Sequence, residues 1–174
     1  VSPKWTPQMA CMDELVRGFH PKPGVCYSFT ALNEKGYERA RVFTPPLSPR
    51  VAEFSTKVDM CDVFAQRNTN RTQAQQIATW PKVIESAKAK GITEGGMSIS
   101  NPFGSNWTGE FTIEQCMLMF DRMNRMWEDA GIPVVRLNLS DAMSWNMPHR
   151  TEQLLRSIKG RWPLIKEFNL HFHN

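Results

Sequence analysis

The chain has 174 residues, 41% hydrophobic and 22% charged, which suits one ordinary globular domain with a core and is too short for two large ones. No stretch approaches the roughly 18 consecutive apolar residues of a membrane span, and the first residues lack the basic-then-apolar run of a secretion signal, so a cytoplasmic protein with no membrane partner is expected. The net charge of +4 permits an anionic partner, but Lys and Arg are spread along the chain rather than clustered; a phosphorylated cofactor is as well supported as nucleic acid, and no nucleic-acid partner is expected.

In chain order, Pro3 and Pro7 predict a structured loop over residues 1–12, followed by a short helix over 13–19 that His20-Pro21-Lys22-Pro23-Gly24 ends. Residues 25–30 alternate large apolar with small or polar side chains, which predicts a strand, and Asn33 is placed to cap a helix through about Ala40. Pro45, Pro46 and Pro49 break up the next stretch, with a strand expected over 51–54, a loop with one helical turn over 57–70 and a long helix over 69–90 that stops at Gly91. A short strand over 97–100 and a loop over 101–109 follow. Thr112 then caps a helix to about Ala130 whose buried stripe is Ile113, Met117, Phe120, Met123 and Trp127. A strand over 134–139, a loop over 140–149, a helix over 150–159 and a last strand around 170–173 complete the series. The four cysteines, Cys11, Cys26, Cys61 and Cys116, form no Cys-x-x-Cys pair and are expected to be reduced thiols.

Strand and helix alternating at this spacing predict an α/β fold with a parallel sheet. The expected strands, however, share one small or polar face: Cys26, Ser28 and Thr30, then Ser98 and Ser100, then Arg136 and Asn138, then Asn169, His171 and His173. Burying that face under apolar helices, as a doubly wound sheet would, costs roughly 2–7 kcal/mol for each unpaired polar group. A barrel gives the same groups a common lumen, so a (β/α)8 TIM barrel is expected. Its site would lie at the carboxyl ends of the strands. Phe168, Leu170 and Phe172 then back the last strand, while His171 and His173 stand side by side on its other face and form half of a metal site; the same spacing equally suits two core or rim histidines. Val1 is not a Met and the chain stops within the strand carrying the paired histidines. A single partial barrel domain over 1–174, cut at both ends, is therefore expected.

The blocks Val1-Ser-Pro-Lys-Trp-Thr-Pro-Gln-Met9, Asn68-Thr-Asn70, Leu139-Ser-Asp-Ala142 and His171-Phe-His-Asn174 occur in an order and spacing that resemble the hydroxymethylglutaryl-CoA lyase family, metal-dependent TIM-barrel enzymes grouped with the isopropylmalate, homocitrate and citramalate synthases. The resemblance appears along most of the chain, from the end of the second barrel strand to the seventh. It implies that His171 and His173 are ligands of Mg²⁺ or Mn²⁺, that Asp141 helps handle the substrate hydroxyl proton, and that Asn68, Thr72 and Asn138 contact an acyl-CoA substrate. It implies a retro-Claisen cleavage of a 3-hydroxy-3-carboxyalkyl acyl-CoA to acetyl-CoA and a keto acid, and allows for a homo-oligomer. Each residue also has a plainer reading: Asp141 as a turn or capping aspartate, Asn138 as a hydrogen-bonded lumen residue, and Asn68, Thr69 and Asn70 as caps of the following helix. Ser140-Asp141-Ala142 stands where the family has Gly-Asp-Thr, and no cysteine here matches the family's reactive one. The alternatives to a lyase are a synthase running the reaction in reverse and a noncatalytic barrel fragment.

Overall fold

The computed structural model describes residues 4, 6–29, 34–48 and 54–173. Thr30, Asn33, Asn174, most of the Val1–Trp5 block and the 51–53 part of an expected strand lie outside them. The chain divides into two compact units, Val1–Ala52 and Glu53–Asn174.

In the first unit a 3-10 turn over Pro7–Met9 precedes α1 (Met12–Gly18), and β1 (Tyr27–Ser28), α2 (Glu34–Arg41) and β2 (Leu47–Ser48) follow. Asp13 and Glu14 occupy the first turn of α1, where the helix dipole favours acidic side chains. An Arg39–Asp13 ion pair of 2.7 Å ties α2 to α1. β1 and β2 pair in parallel, so the expected strand over 25–30 is present but reduced to two residues.

The second unit contains β3 (Ser55–Asp59), α3 (Asp62–Thr69), α4 (Gln73–Ile77), α5 (Trp80–Ala89), β4 (Gly95–Ser100), the hairpin of β5 (Gly104–Ser105) and β6 (Gly109–Glu110), α6 (Ile113–Asp129), β7 (Val134–Asp141), α7 (Pro148–Arg161) and β8 (Glu167–Phe172). β3, β4, β7 and β8 form one parallel sheet in that spatial order. Parallel crossovers are right-handed, so strands that follow one another in space as they do in sequence put every helix on the same face. That is the winding of a TIM barrel; a doubly wound sheet reverses direction and carries helices on both faces.

Several stretches differ from the sequence expectation, among them the loop expected over 101–109, where β5 and β6 pair as a short antiparallel hairpin. The strand expected over 51–54 is β3 at Ser55–Asp59, and the region expected as a loop over 57–70 holds the end of that strand and two turns of α3. Ser-Thr-Lys-Val-Asp carries a strand period only when Thr56 is counted with Val58 on the buried side. The long helix over 69–90 is two helices. Thr72 opens α4 with a capping box in which Gln75 closes back on its amide, and Pro81, which has no N–H and would clash one turn back, is placed in the first turn of α5.

The core lies between the sheet and the helices. Met97, Ile99, Leu137 and Leu139 meet Trp80, Phe120, Met123, Trp127, Leu154 and Ile158, all essentially solvent-free. Phe120, Met123 and Trp127 are the buried stripe read from the sequence of α6, and Thr112 caps that helix with a second capping box. Trp127 Nε1 donates to Thr56 Oγ1 at 3.1 Å, and its ring lies so close to Gly95 that a Cβ there would be 2.8 Å from it. Removing a tryptophan buried in this way costs about 3–5 kcal/mol. The second unit thus holds its sheet by the helix-facing side, leaving the other side to polar residues.

Candidate active site

Residues paired across parallel strands point to the same face, so the register assigns the polar side directly. Three rows cross it: Ser55, Gly96, Arg136 and Glu167; Lys57, Ser98, Asn138 and Asn169; and Asp59, Ser100, Ser140 and His171. Ser98, Ser100, Arg136, Asn138, Asn169 and His171 are therefore on one face, as the alternation in sequence predicts. Arg136 is engaged there, donating to the Glu94 carbonyl at 3.0 Å and pairing with its carboxylate at 3.8 Å.

At the carboxyl end of β8 the ladder runs one step past the strand, with the His173 amide donating to the Asp141 carbonyl at 3.1 Å. This keeps His173 on the same side as His171. Their Nε2 atoms are 3.1 Å apart, with ring centroids 5.1 Å apart and planes at 60°. Both rings are exposed. In the next strand Ser140 Oγ lies 3.1 Å from Ser100 Oγ, so two hydroxyls line the row that ends at His171. Among the described residues no group of three or more His, Cys, Asp or Glu side chains converges as a metal site.

Asp141 has the opposite parity, pairing with Phe172, and is fully buried. Its Oδ2 accepts from the Asn146 amide at 2.6 Å and from Asn146 Nδ2 at 3.0 Å, and its Oδ1 from the Met143 amide at 3.3 Å. Asn146 Nδ2 also reaches the His173 carbonyl at 3.3 Å. The carboxylate thus organises the loop after β7 and, through Asn146, the end of β8. The turn reading of this aspartate accounts for all three contacts.

Asn138 is half-buried in the middle of β7, in register with Ser98 and Asn169. Asn68 is exposed in the last turn of α3, and Asn70 ends that helix in the left-handed conformation (φ 53°). Thr72 Oγ1 accepts the Gln75 amide at 3.1 Å, so the cap of the next helix is Thr72, not Asn68, Thr69 or Asn70. Behind them Gln76 clamps Asp59, accepting from its amide at 2.8 Å and donating to its carboxylate at 2.6 Å.

The rim is braced by Arg150, which donates to the Phe103 and Phe111 carbonyls at 3.1 and 2.7 Å, and by Trp145, whose Nε1 donates to Asn106 at 2.9 Å. Cys116 donates to the Pro102 carbonyl at 2.8 Å; burial pushes its thiol up to about 12, against a smaller opposing pull from Arg150. Ser55, Lys57 and Asp59 are face residues of β3 that sequence reasoning missed, because the strand was expected to end before them. The alternation of Ser55, Lys57 and Asp59 with Thr56 and Val58 was the available signal.

A parallel sheet wound in sequence order, with polar residues on one side and paired imidazoles at its carboxyl end, defines part of a TIM-barrel scaffold. The chain is 27% identical over all 174 of its residues to the 3-hydroxy-3-isohexenylglutaryl-CoA/hydroxymethylglutaryl-CoA lyase of Pseudomonas aeruginosa, covering 53% of that protein. It is 24% identical over 163 residues to the human cytoplasmic 3-hydroxy-3-methylglutaryl-CoA lyase, covering 94% of this chain and 40% of that one. Among solved structures, the hydroxymethylglutaryl-CoA lyase of P. aeruginosa superposes with a TM-score of 0.66 at 25% identity, over 99% of this chain and 53% of that one. A lyase of the same name from Acinetobacter baumannii, in complex with coenzyme A and 3-methylmalate, gives 0.64 at 21% identity, over 100% and 52%. No family model matches. The chain is similar along its whole length to hydroxymethylglutaryl-CoA lyases, has the fold of part of their TIM barrel, and spans about half the length of the curated relatives it matches.

Proposed function

We propose that this chain carries the metal-holding part of the active site of a carbon–carbon lyase similar to the hydroxymethylglutaryl-CoA lyases, cleaving a 3-hydroxy-3-carboxyalkyl acyl-CoA to acetyl-CoA and a keto acid. The observation that carries the proposal is the 3.1 Å approach of the two imidazole Nε2 atoms. Two neighbouring ligands of an octahedral ion with bonds of about 2.1 Å are separated by about 3.0 Å, so His171 and His173 are spaced as adjacent ligands of Mg²⁺ or Mn²⁺. Both rings would then carry their proton on Nδ1 and turn the Nε2 lone pairs to one point. The bound ion supplies Lewis acidity toward oxygens of the substrate.

The chain's own residues do the rest by placement. The Ser100 and Ser140 hydroxyls and the Asn138 amide offer donors and acceptors on the face below the imidazoles, where a substrate hydroxyl and carboxylate are to be held in register. Asn68 and Thr72 sit beyond the carboxyl end of β3 as proposed acyl-CoA contacts. In the cleavage the hydroxyl loses its proton and becomes the keto acid's carbonyl; the electron pair of the broken carbon–carbon bond goes to the α-carbon of the acetyl thioester, which takes up a proton. The resemblance makes Asp141 a handler of the hydroxyl proton. Its contacts support a positioning role, holding Asn146 and the end of β8 in place. A cytoplasmic location, as in the name of one human relative, is part of this reading; no helix among the described residues is long and apolar enough to cross a membrane.

The test is product analysis of the purified protein with Mn²⁺ and 3-hydroxy-3-methylglutaryl-CoA. The proposal expects acetyl-CoA and acetoacetate in equal amounts. Release of free coenzyme A from acetyl-CoA plus a keto acid would replace it with a synthase, and turnover of neither would leave a noncatalytic barrel.

A further inference from the structure

We propose that Lys57 selects substrates whose acyl chain carries a second carboxylate; this rests on the lyase reading and names its substrate class. Thr56 and Val58, on either side of Lys57, are buried against the helices, and Thr56 accepts the Trp127 indole N–H at 3.1 Å. Strand alternation therefore puts Lys57 on the polar face, where its register partner is Ser98 and the row continues through Asn138 to Asn169. Those four side chains supply an ammonium, a hydroxyl and two amides, a donor set suited to a carboxylate; the acids of the face, Asp59 and Glu167, stand in the adjoining rows, and the Asp59 carboxylate already accepts from Gln76.

The other cation on this face, Arg136, is already held by Glu94, whereas Lys57 is exposed and makes no ion pair among the described residues. Its row lies two residues, about 6.6 Å along the strand, below the row that ends at His171. Lys57 and Asn169 are three strand spacings apart, about 14 Å along the sheet, and in a sheet that winds as a barrel such inward side chains converge. A substrate held at its hydroxyl end by the imidazole pair thus presents its far end to Lys57. A methyl or other apolar substituent there would leave the ammonium without a partner, while a carboxylate would give it one.

The test compares 3-oxoadipate with 3-oxopentanoate, keto acids that share the reacting end of the proposed product and differ in the distal carboxylate. Calorimetric affinities are measured for the wild-type chain, Lys57→Met and Lys57→Arg, each with and without Mn²⁺. The wild type should bind 3-oxoadipate about ten- to hundredfold more tightly than 3-oxopentanoate, as a charge-assisted contact provides. Lys57→Met should remove that preference with 3-oxopentanoate affinity unchanged, and Lys57→Arg should keep most of it. No preference in the wild type, or a preference that survives in a Lys57→Met protein with wild-type circular dichroism, overturns the inference. Failure of Mn²⁺ to bind would count against the lyase reading alone, since the comparison without metal still decides the role of Lys57.

Discussion

Replacing Asp141 with Asn separates a loop-organising aspartate from a proton-handling one. The substitution keeps the shape of the side chain but turns one oxygen into an NH₂ group and removes the charge. Three N–H donors converge on the carboxylate: the Asn146 amide at 2.6 Å, Asn146 Nδ2 at 3.0 Å and the Met143 amide at 3.3 Å. Whichever way the new amide turns, at least one of these donors faces another donor. Hydrogen bonds to a charged acceptor contribute about 1.5–3 kcal/mol each, and a buried donor left without a partner costs about 1–3 kcal/mol. With Asn146 half-buried and open to water, the net loss should be about 2–4 kcal/mol. For a chain of this size that is a fall in Tm of about 5–15 °C. Thermal unfolding followed by tryptophan fluorescence measures it. A variant that melts within about 1 °C of wild type refutes the reasoning, and if it also loses turnover, Asp141 handles the proton after all.

Asp121 receives Arg161 at 3.1 Å and also pairs with Arg125 on its own helix; the Arg161 hydrogen bond is the larger cause holding its carboxyl below the usual value, opposed by slight burial. A lowered folded pKa stabilises the protein above the ordinary carboxylate range and is lost as pH falls through the folded value. Asp121→Asn should therefore flatten the acid limb of a stability–pH curve measured by urea unfolding, with little change between pH 6 and 8 in the slope; an unchanged acid limb contradicts this. Burial holds Cys116 near 12 as a neutral thiol, and Cys61 is equally inaccessible. Iodoacetamide at pH 8 should accordingly modify Cys11 and Cys26 in the native protein and spare the other two, as peptide mass mapping would show; labelling of Cys116 without unfolding would contradict its burial.

Most of the second unit was legible because its elements carry local signals. Thr112 with Gln115 marks the start of α6, Gly131 its end, and the spacing of Phe120, Met123 and Trp127 its buried face. The polar face was legible for a different reason: Ser98, Asn138 and Asn169 fall on the same parity in three strands, a pattern that only a shared register can use. β3 was not legible, since Ser55–Asp59 contains one aliphatic residue, and the buried hydroxyl of Thr56 is satisfied only by distant partners, the indole N–H of Trp127, 71 residues away, and the Gly96 carbonyl. A local fold-back, not a distant partner, hid the burial of Asp141. Its neighbours in sequence suggest an exposed turn, whereas the loop to Asn146 folds back over it and takes up both oxygens. The His171 and His173 pairing could be read from spacing alone, but the 3.1 Å approach of the two nitrogens depends on the ladder continuing from Asp141 to His173.

A titration with Mn²⁺, followed by the loss of the free-ion electron paramagnetic resonance signal, asks most directly whether the paired imidazoles hold a metal. The wild-type chain should take up one ion per molecule, and the His171→Ala, His173→Ala double variant should lose that site. Equal uptake by the two proteins, or none by the wild type at neutral pH, would contradict the assignment.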